Sequence, residues 1–322
     1  MTKKISSKII ATGSYLPKKI LTNLDLAKTV ETSDEWIFER TGIKQRHIAD
    51  EKELTSDLAS NAAKKTLEKS GIKAEEIDLI ILATTTPDLT FPATATTIQA
   101  KIGAKNAFAF DIQAVCSGFV YAMVTADNFI KSGQVKNALV IGAETLSRIV
   151  DWQNRNTCVL FGDGAGAVLL QATSEEKCGI ISSNLYSDGS LNSLLKTSGG
   201  TSFDQKSGFI EMAGKEVFKH AVEKMCKSVL SALDKVNLSI KDVDLLVPHQ
   251  ANSRILTSVA SRLELPLEKV IITVENHANT SAASIPLALD YANSNHRIKK
   301  GEIIVLEALG GGLTWGSIIL RW

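Results

Sequence analysis

The chain has 322 residues, which exceeds the ~100–150 residues at which single domains cluster, so one very large domain or two ordinary ones is expected. Hydrophobic residues at 44% and charged residues at 22% are usual for a folded globular protein and exclude a disordered, collagenous or coiled-coil chain. The 36 Lys and Arg residues nearly balance 35 Asp and Glu, so the net charge of +1 provides no overall field that would attract nucleic acid or an anionic membrane.

Neither a leader nor a membrane segment is predicted. No apolar run of signal-peptide length follows the first lysines, and no stretch of about 18 uninterrupted apolar residues occurs, so we expect a cytosolic protein. The cysteines are widely spaced, without C-x-x-C or zinc-type spacing, and are predicted to be reduced thiols. They are Cys116, Cys158, Cys178 and Cys226.

Buried strands and amphipathic helices alternate along the first half of the chain. A helix is predicted to end near Gly71, and apolar strands are predicted at 79–82, 108–112, 139–141 and 167–170. Short strands that are continuously apolar are typical of sheets covered by helices on both faces.

The second half repeats this order. Residues 67–81 match residues 233–247, and residues 138–141 match residues 303–306. We interpret the match as a duplication, which predicts an α/β fold of two packed halves; chance similarity of buried segments is the alternative. The predicted halves are 1–173 and 174–322, divided within the polar stretch 171–177. The longest polar interruption, 187–207, is predicted to be a mobile flap.

Cys116 is a candidate nucleophile. It follows the strand pattern at 108–112 and precedes a helical pattern that ends at Gly133. A thiol at a buried helix N-terminus lies near unsatisfied backbone N–H groups, which are expected to lower its pKa and favour the thiolate. The alternative is a small apolar side chain that packs the start of the helix.

Asn279 occupies the equivalent position in the second half. Matching residues 110–112 with 273–275 places Asn279 on Cys116, ahead of the helix predicted at 285–293. An asparagine at such a position is often only a helix N-cap, and that is the competing interpretation.

His249 is the candidate partner of the thiol. It directly follows the buried strand predicted at 243–247. Active sites of α/β proteins usually lie at such strand ends. A cysteine that works beside a histidine is typical of covalent acyl chemistry. A structural hydrogen-bonding role is the alternative, and His277 is the only rival histidine because it is close to Asn279.

Two glycine clusters need separate interpretations. Gly310, Gly311 and Gly312 follow the strand predicted at 303–306, where backbone N–H groups can approach a ligand oxygen, although a turn is the simpler explanation. The cluster at 162–167 fits G-x-G-x-x-A but leads to a strand rather than a helix, so a dinucleotide site is not predicted.

Taken together and in order, these segments resemble the β-ketoacyl-acyl-carrier-protein synthase III (KAS III) family of the thiolase-like superfamily. The resemblance covers essentially the whole chain and includes Val-Pro-His-Gln-Ala-Asn at 247–252, Asn-Thr-Ser-Ala-Ala-Ser at 279–284 and Gly-Gly-Gly-Leu-Thr-Trp-Gly at 310–316. It implies a thiolase-like fold, in which two βαβαβαββ halves form a five-layer αβαβα sandwich.

The resemblance implies a ping-pong condensation that starts fatty acid synthesis. Cys116 takes the acyl group of an acyl-CoA, with acetyl-CoA as the expected primer, while N–H groups of Cys116 and Gly311 hold the oxyanion. Malonyl-acyl-carrier protein then loses CO2, and its enolate, stabilised by His249 and Asn279, attacks the acyl-cysteine. Asparagine in the third position favours the initiating type over elongating enzymes, which have two histidines. No metal or other cofactor is implied.

The resemblance also implies which residues contact the substrates and partners. Trp36 is expected to stack on the CoA adenine, whereas an ordinary amphipathic-helix aromatic is the alternative for this residue. The implied CoA contacts are Thr32, Trp36, Arg40, Arg155 and Asn252; the carrier-protein contacts are Lys219 and Arg254; and Phe91 is expected to cross a homodimer interface to the partner's acyl pocket.

Two positions depart from the family pattern. Ala278 stands where a glycine usually precedes the catalytic asparagine, so a positive φ there would strain the backbone. Ser261 replaces a basic residue of the carrier-docking helix, with Arg262 beside it, so we expect a shifted docking surface.

Three alternative functions are compatible with these residues. The first is a KAS III-like enzyme of secondary metabolism that uses another primer. The second is an inactive CoA-binding homodimer, against which the joint retention of Cys116, His249 and Asn279 argues. The third is a thioesterase, which would release free acid without a 3-oxo product.

Overall fold

The structure is a computed structural model that describes residues 5–175 and 178–322. Its strands are β1 (Ser6–Tyr15), β2 (Lys19–Thr22), β3 (Gln45–Ile48), β4 (Leu79–Ala83), β5 (Phe108–Ile112), β6 (Asn137–Glu144), β7 (Gly164–Thr173), β8 (Gly179–Ser187), β9 (Leu195–Thr197), β10 (Ile210–Met212), β11 (Leu245–Pro248), β12 (Ile303–Gly310) and β13 (Thr314–Arg321). Its α-helices are α1 (Asn23–Leu26), α2 (Asp34–Thr41), α3 (Thr55–Ser70), α4 (Thr94–Ile102), α5 (Gly118–Lys131), α6 (Arg155–Cys158), α7 (Gly214–Asp234), α8 (Ser253–Arg262), α9 (Val274–His277) and α10 (Ser284–Ser294).

Two sheets with the same strand plan form the centre of the molecule. The first has the order β1-β7-β6-β4-β5 and the second has the order β8-β13-β12-β11. In the first, β4 is parallel to β5 and β6, while β7 is antiparallel to β6 and β1. In the second, β11 is parallel to β12, while β13 is antiparallel to β12 and β8. A parallel bridge from Leu246 to Val270 takes the place of β5.

Helices cover both faces of both sheets. Apolar residues of α5 and α10 pack between the two sheets, α3 and α4 cover the outer face of the first sheet, and α7 and α8 cover the outer face of the second. The predicted five-layer sandwich is therefore confirmed. Strands β4, β6 and β11 are buried throughout, which explains why β4, β11 and the middle of β6 are continuously apolar in sequence.

The first sheet draws all its strands from residues 6–173, and the second draws all of its strands from residues 179–321. The division of the chain at 173 into two folding halves stays a prediction. Among the helices described, none is long and apolar enough to cross a membrane.

One predicted correspondence is wrong in its local structure. The sequence match equates residues 273–275 with the end of β5, but Val274 begins helix α9 instead of continuing a strand. The physical reason is the buried side chain of Gln250, whose Oε1 accepts the backbone N–H groups of Thr273 (2.8 Å) and Val274 (3.2 Å). These N–H groups therefore satisfy their hydrogen bonds at a helix start, without a neighbouring strand.

The polar segment 187–207 contains ordered elements. A 3-10 turn at Gly189–Leu194 leads to β9, which pairs with β10. Leu195 of β9 also lies against the Gly310–Gly312 loop, because its carbonyl oxygen is 2.7 Å from the position a Cβ would take at Gly311. The segment thus lies over the predicted site.

Candidate active site

Cys116 lies in the 3-10 turn Val115–Ser117 that joins β5 to α5. The residue before it, Val115, has a φ of 49°, a left-handed conformation that is rare for a β-branched residue. The hydroxyl of Thr314 holds this turn, lying 2.7 Å from Ser117 Oγ and 3.0 Å from the carbonyl oxygen of Ala114. Cys116 itself is 5% exposed.

The glycine loop packs directly on the Cys116 turn. A Cβ at Gly310 would lie 2.6 Å from the backbone nitrogen of Cys116, which only a glycine permits. Thr314 also lies 3.1 Å from the carbonyl oxygen of Gly311. The glycine loop at Gly310 and Gly311 is thereby held against the Cys116 turn, as an oxyanion hole would require.

His249 follows β11 and is fixed at both its backbone and its ring. Its N–H donates to the carbonyl oxygen of Glu307 (2.8 Å), and its Nδ1 is 2.7 Å from Ser284 Oγ. Ser284 Oγ also accepts the N–H of Gln250 (3.3 Å), so its own proton is available for Nδ1. With Nδ1 as acceptor, the neutral ring carries its proton on Nε2.

Asn279 lies in a loop between α9 and α10. Its backbone pairs with the Phe161 strand end, since its N–H donates to Leu160 (2.9 Å) and its carbonyl accepts from Gly162 (3.0 Å). The side-chain Oδ1 accepts the N–H of Ser281 (2.9 Å), which leaves the amide N–H groups as donors. The bonding is not that of a helix N-cap, because α10 begins only at Ser284.

The strain expected at Ala278 is confirmed. Its φ of 58° and ψ of −163° fall in a region that is almost exclusive to glycine. Ala278 is nevertheless fully buried among apolar residues, including Phe161, which hold it in this conformation.

One cavity of about 440 Å³ brings the three predicted catalytic residues together. Cys116, His249 and Asn279 all line it, and we call it the histidine cavity. The rival histidine, His277, lines neither this cavity nor the one described next, and burial lowers its pKa to about 4.

A second cavity of about 880 Å³ opens on the other side of Cys116. We call it the threonine cavity, because Thr55, Thr85, Thr86 and Thr145 line it. Cys116 lines both cavities, and so do Phe161 and Leu195. The thiol therefore lies at the junction of two spaces, which suits a residue that receives a group from one substrate and passes it to another.

The predicted direction of the Cys116 pKa is wrong. Burial raises the pKa of this thiol to about 12, and the nearby Glu144 carboxyl contributes in the same direction, whereas the Ser281 hydroxyl opposes it. Removal from water disfavours the thiolate more than the start of the helix favours it. Burial likewise lowers the pKa of His249 to about 3, so this imidazole is neutral.

Two guanidinium groups pack on the ring of Trp36. The Cζ atoms of Arg40 and Arg155 lie 4.5 Å and 4.8 Å from the centre of its ring. Arg155 is also anchored to the carbonyl oxygen of Glu31 (2.9 Å). Arg40 lines the histidine cavity, whereas Trp36, Arg155 and Thr32 lie beyond it. The hydroxyl of Thr32 is buried and has no hydrogen-bond partner among the residues described.

Asn252 and Arg254 border the histidine cavity at the start of α8. Asn252 is the N-cap of this helix, with its Oδ1 accepting the N–H of Ile255 (3.0 Å), so it has a structural role whatever else it contacts. Arg254, Ser261 and Arg262 lie on α8, and Lys219 lies on the neighbouring α7. Phe91 lies apart from both cavities and is 82% exposed.

Sequence reasoning missed four buried polar residues around the site. Glu144, Glu307, Gln250 and Ser284 are all shielded from solvent. Ser284 and Gln250 carried a sequence signal, because they lie in the motifs at 279–284 and 247–252. Glu144 and Glu307 look like ordinary polar residues beside strands.

Comparison with known proteins identifies the family. Residues 110–189 match the family model described as 3-oxoacyl-[acyl-carrier-protein (ACP)] synthase III, and residues 233–322 match the model of its C-terminal part. The chain is 61% identical over 315 residues to a β-ketoacyl-[acyl-carrier-protein] synthase III of Ehrlichia canis (strain Jake), covering 98% of this chain and 99% of the relative.

Solved structures agree with this result. A 3-oxoacyl-[acyl-carrier-protein] synthase III from Aquifex aeolicus VF5 is 51% identical with a TM-score of 0.94, covering 98% of this chain and all of the other. A priming β-ketosynthase from the R1128 polyketide biosynthetic pathway is 31% identical with a TM-score of 0.93, covering 100% and 97%. The chain belongs to the 3-oxoacyl-[acyl-carrier-protein] synthase III family of acyl-transferring condensing enzymes, and its fold is thiolase-like.

Proposed function

We propose that the chain condenses an acyl-CoA with malonyl-acyl-carrier protein to give 3-oxoacyl-acyl-carrier protein, CoA and CO2, and thereby starts fatty acid biosynthesis. The observation that carries the proposal is that Cys116, His249 and Asn279 line one cavity although they come from distant parts of the chain. Acetyl-CoA is the proposed primer. The higher identity to the Aquifex synthase (51%) than to the polyketide enzyme (31%) favours this function over a role in secondary metabolism.

In the first half-reaction, the sulfur of Cys116 attacks the thioester carbon of the acyl-CoA and CoA leaves. The negative charge on the thioester oxygen is stabilised by the backbone N–H groups of Cys116 and Gly311. The packing of Gly310 against the backbone nitrogen of Cys116 supports this role, because it holds the glycine loop beside the Cys116 turn before the substrate arrives. The acyl group then occupies the junction between the two cavities.

In the second half-reaction, malonyl-acyl-carrier protein loses CO2 and the thioester oxygen becomes an enolate oxygen. A neutral Nε2–H of His249 and the amide of Asn279 are the proposed donors to this oxygen. The hydrogen bonds of Nδ1 to Ser284 and of Oδ1 to Ser281 support the assignment, because they leave donors rather than acceptors for the cavity. The enolate carbon attacks the acyl-cysteine. No resident cofactor takes part.

Thr32, Trp36, Arg40, Arg155 and Asn252 are proposed to bind CoA. The stacked arrangement of Arg40 and Arg155 on Trp36 supports this, because it combines an aromatic face with two cations, as an adenine that carries phosphates requires. Arg40 and Asn252 connect this cluster to the histidine cavity.

We also propose that the acidic carrier protein docks beside this cavity on α7 and α8, at Lys219 and Arg254. With Ser261 uncharged, the exposed Arg262 extends the basic surface along α8. The exposure of Phe91 supports a homodimer in which this side chain is buried by the partner chain. We also propose that the protein is located in the cytosol.

The test is intact-protein mass after mixing with acetyl-CoA, followed by addition of malonyl-acyl-carrier protein. We expect an acetyl adduct on the wild type that is discharged as a 3-oxoacyl product. Cys116→Ala should form no adduct, whereas the control Cys226→Ala, at another buried cysteine, should behave like the wild type.

Other outcomes change the proposal in defined ways. An adduct only with longer or branched acyl-CoAs would preserve the mechanism and favour secondary metabolism. Free acid without a 3-oxo product would indicate a thioesterase, and the lack of any adduct would exclude Cys116 as the nucleophile.

A further inference from the structure

A buried carboxyl group beside Cys116 has no role in the chemistry proposed so far. Glu144 ends β6 and has no exposed surface. Its oxygens accept hydrogen bonds from Thr86 Oγ1 (2.6 Å), Thr85 Oγ1 (3.0 Å) and the backbone N–H of Thr85 (3.1 Å). These bonds keep the carboxyl at one place next to the threonine cavity, which Thr85 and Thr86 line.

The Ser281 hydroxyl lies between this carboxyl group and the thiol. It is close enough to both Cys116 and Glu144 to lower the pKa of each group. Its geometry fits a hydrogen bond to neither in the resting structure, and it has no other partner in the described part of the chain. Ser281 is 2% exposed and has a φ of 48°, a strained conformation for a residue other than glycine.

A buried, unpartnered hydroxyl in a strained turn requires an explanation, because burial of such a group without a hydrogen bond costs stability. Ser281 and Cys116 both line the threonine cavity, and the turn that carries Ser281 packs on both β6 and the Cys116 turn. The turn that holds Ser281 therefore lies against both elements that carry the thiol and the carboxyl group.

The thiol needs a proton acceptor when it attacks. His249 is a weak one, because burial lowers its pKa to about 3. Burial raises the pKa of Glu144 to about 7, so a carboxylate is available near neutral pH and binds a proton more strongly than the imidazole does. The other charged residues that line the threonine cavity are Asp88, Arg148 and Lys196, none of which hydrogen-bonds to Glu144 within the described residues.

We propose that Ser281 and Glu144 form a proton relay for Cys116 that carries the thiol proton away during acylation and returns it after condensation. Ser281 is the catalytic member of this relay, since it exchanges the proton directly with the reacting sulfur, and Glu144 acts through it. The relay rests on the proposed function, because it serves the two half-reactions described above.

The proton balance closes over one cycle. During acylation the S–H bond of Cys116 breaks and its proton passes to Ser281 Oγ, while the serine proton passes to the Glu144 carboxylate. The new bond from sulfur to the acyl carbon forms as the thioester C–S bond breaks. CoA leaves as a thiolate that takes a proton from water. During condensation the C–C bond to CO2 breaks, the new C–C bond forms, and the Cys116 thiolate that is released takes the proton back through Ser281. Glu144 is again a carboxylate.

The test is the rate of Cys116 alkylation by iodoacetamide between pH 6 and pH 9, read on the Cys116 peptide by mass spectrometry. In the wild type the rate should rise with a midpoint near 7, as Glu144 ionises, and then level off. Glu144→Gln and Ser281→Ala should each slow alkylation at pH 8 by about 10²-fold or more, as for loss of a general base, and should abolish the midpoint.

If Glu144 acted only through its negative charge, its substitution would change the alkylation rate in the opposite direction. Because its negative charge opposes the thiolate, Glu144→Gln would accelerate alkylation if the carboxyl acted only as a charge. An unchanged or faster rate in this variant would therefore overturn the relay. Thr86→Val is the matched control, since it removes one of the hydrogen bonds to the Glu144 carboxyl, together with the bond from the Thr145 N–H, and keeps the carboxyl; the midpoint should rise while the plateau rate is unchanged.

A folding control, and the independence of alkylation from acyl-CoA, allow the test to distinguish failure of the relay from unfolding and from failure of the proposed function. Cys158 and Cys226 are buried outside the site, so their continued protection from iodoacetamide shows that a variant is folded. Alkylation needs no acyl-CoA, so failure of wild-type acylation would remove the proposed function while the pH profile would still report on the relay.

Discussion

The loop before α5 in the first half and the loop before α10 in the second half each contain a residue with a positive φ angle just before the candidate functional residue. Val115 (φ 49°) precedes Cys116, and Ala278 (φ 58°) precedes Asn279, and neither strained residue is a glycine. Each functional residue then leads through a 3-10 turn to a buried helix. The duplicated scaffold thus presents two side chains toward one cavity by holding two strained residues in place.

The two halves differ in the environment of their buried acids. Glu144 in the first sheet accepts several hydrogen bonds, and its pKa is raised to about 7. Glu307 in the second sheet has no partner for either side-chain oxygen among the residues described, and burial raises its pKa to about 8. Burial raises both pKa values, and donors to the carboxylate limit the rise only at Glu144. The first half therefore holds an acid that can exchange a proton, and the second half holds one that stays neutral near pH 7.

The largest expected effect separates the roles of His249 and Asn279 in the second half from that of Cys116 in the first half. His249→Ala and Asn279→Ala should each reduce decarboxylation of malonyl-acyl-carrier protein by about 10²–10³-fold, as for loss of one donor to a developing oxyanion, and should still form the acyl adduct on Cys116. CO2 release and adduct mass measure the two steps. Asn276→Ala, at an exposed neighbouring asparagine, should match the wild type. Loss of acylation in Asn279→Ala would show that Asn279 also acts in the first step.

A smaller effect concerns the stability cost of Glu307. Because its pKa is raised in the folded state, the folded protein retains a proton that the unfolded chain loses, so the free energy of unfolding falls as pH rises from the ordinary 4.5 to about 8. Glu307→Gln should become more stable than the wild type across this window, by up to about 1.4 kcal/mol per pH unit. Urea unfolding at pH 5, 6.5 and 8 measures the difference, and a constant offset would contradict an ionisable origin.

The smallest effect tests the strain in the second loop. Ala278→Gly should raise the free energy of unfolding by about 1 kcal/mol, because relief of the backbone strain exceeds the extra entropy that glycine gives the unfolded chain. Ala282→Gly, in the adjacent turn without a positive φ, should instead lower it. If both variants were destabilised equally in urea, the conformation of Ala278 would carry no strain.

Several features of the site could be predicted from the sequence because their signals are local. Cys116, Asn279 and His249 stand at transitions from apolar strands to small residues, and the internal repeat relates the first two to each other. The strain at Ala278 could be predicted because an alanine stands where the family usually has a glycine. Glu144 and Glu307 could not be recognised in this way, since nothing in the sequence distinguishes a buried acid from an exposed one, and the motif at 279–284 did not single out Ser281 from the other small polar residues.

The sequence by itself determined the alternation of strands and helices, the duplicated plan and the candidates for the reactive side chains, because periodicity and residue chemistry depend on neighbours along the chain. Only the tertiary structure decided the protonation of those side chains. Burial raised the pKa of Cys116 where its place near a helix start predicted a lower value, and it kept His249 neutral. The extent to which a group is removed from water depends on which distant segments pack against it. The two halves must therefore pack together before the pKa values of these side chains are determined.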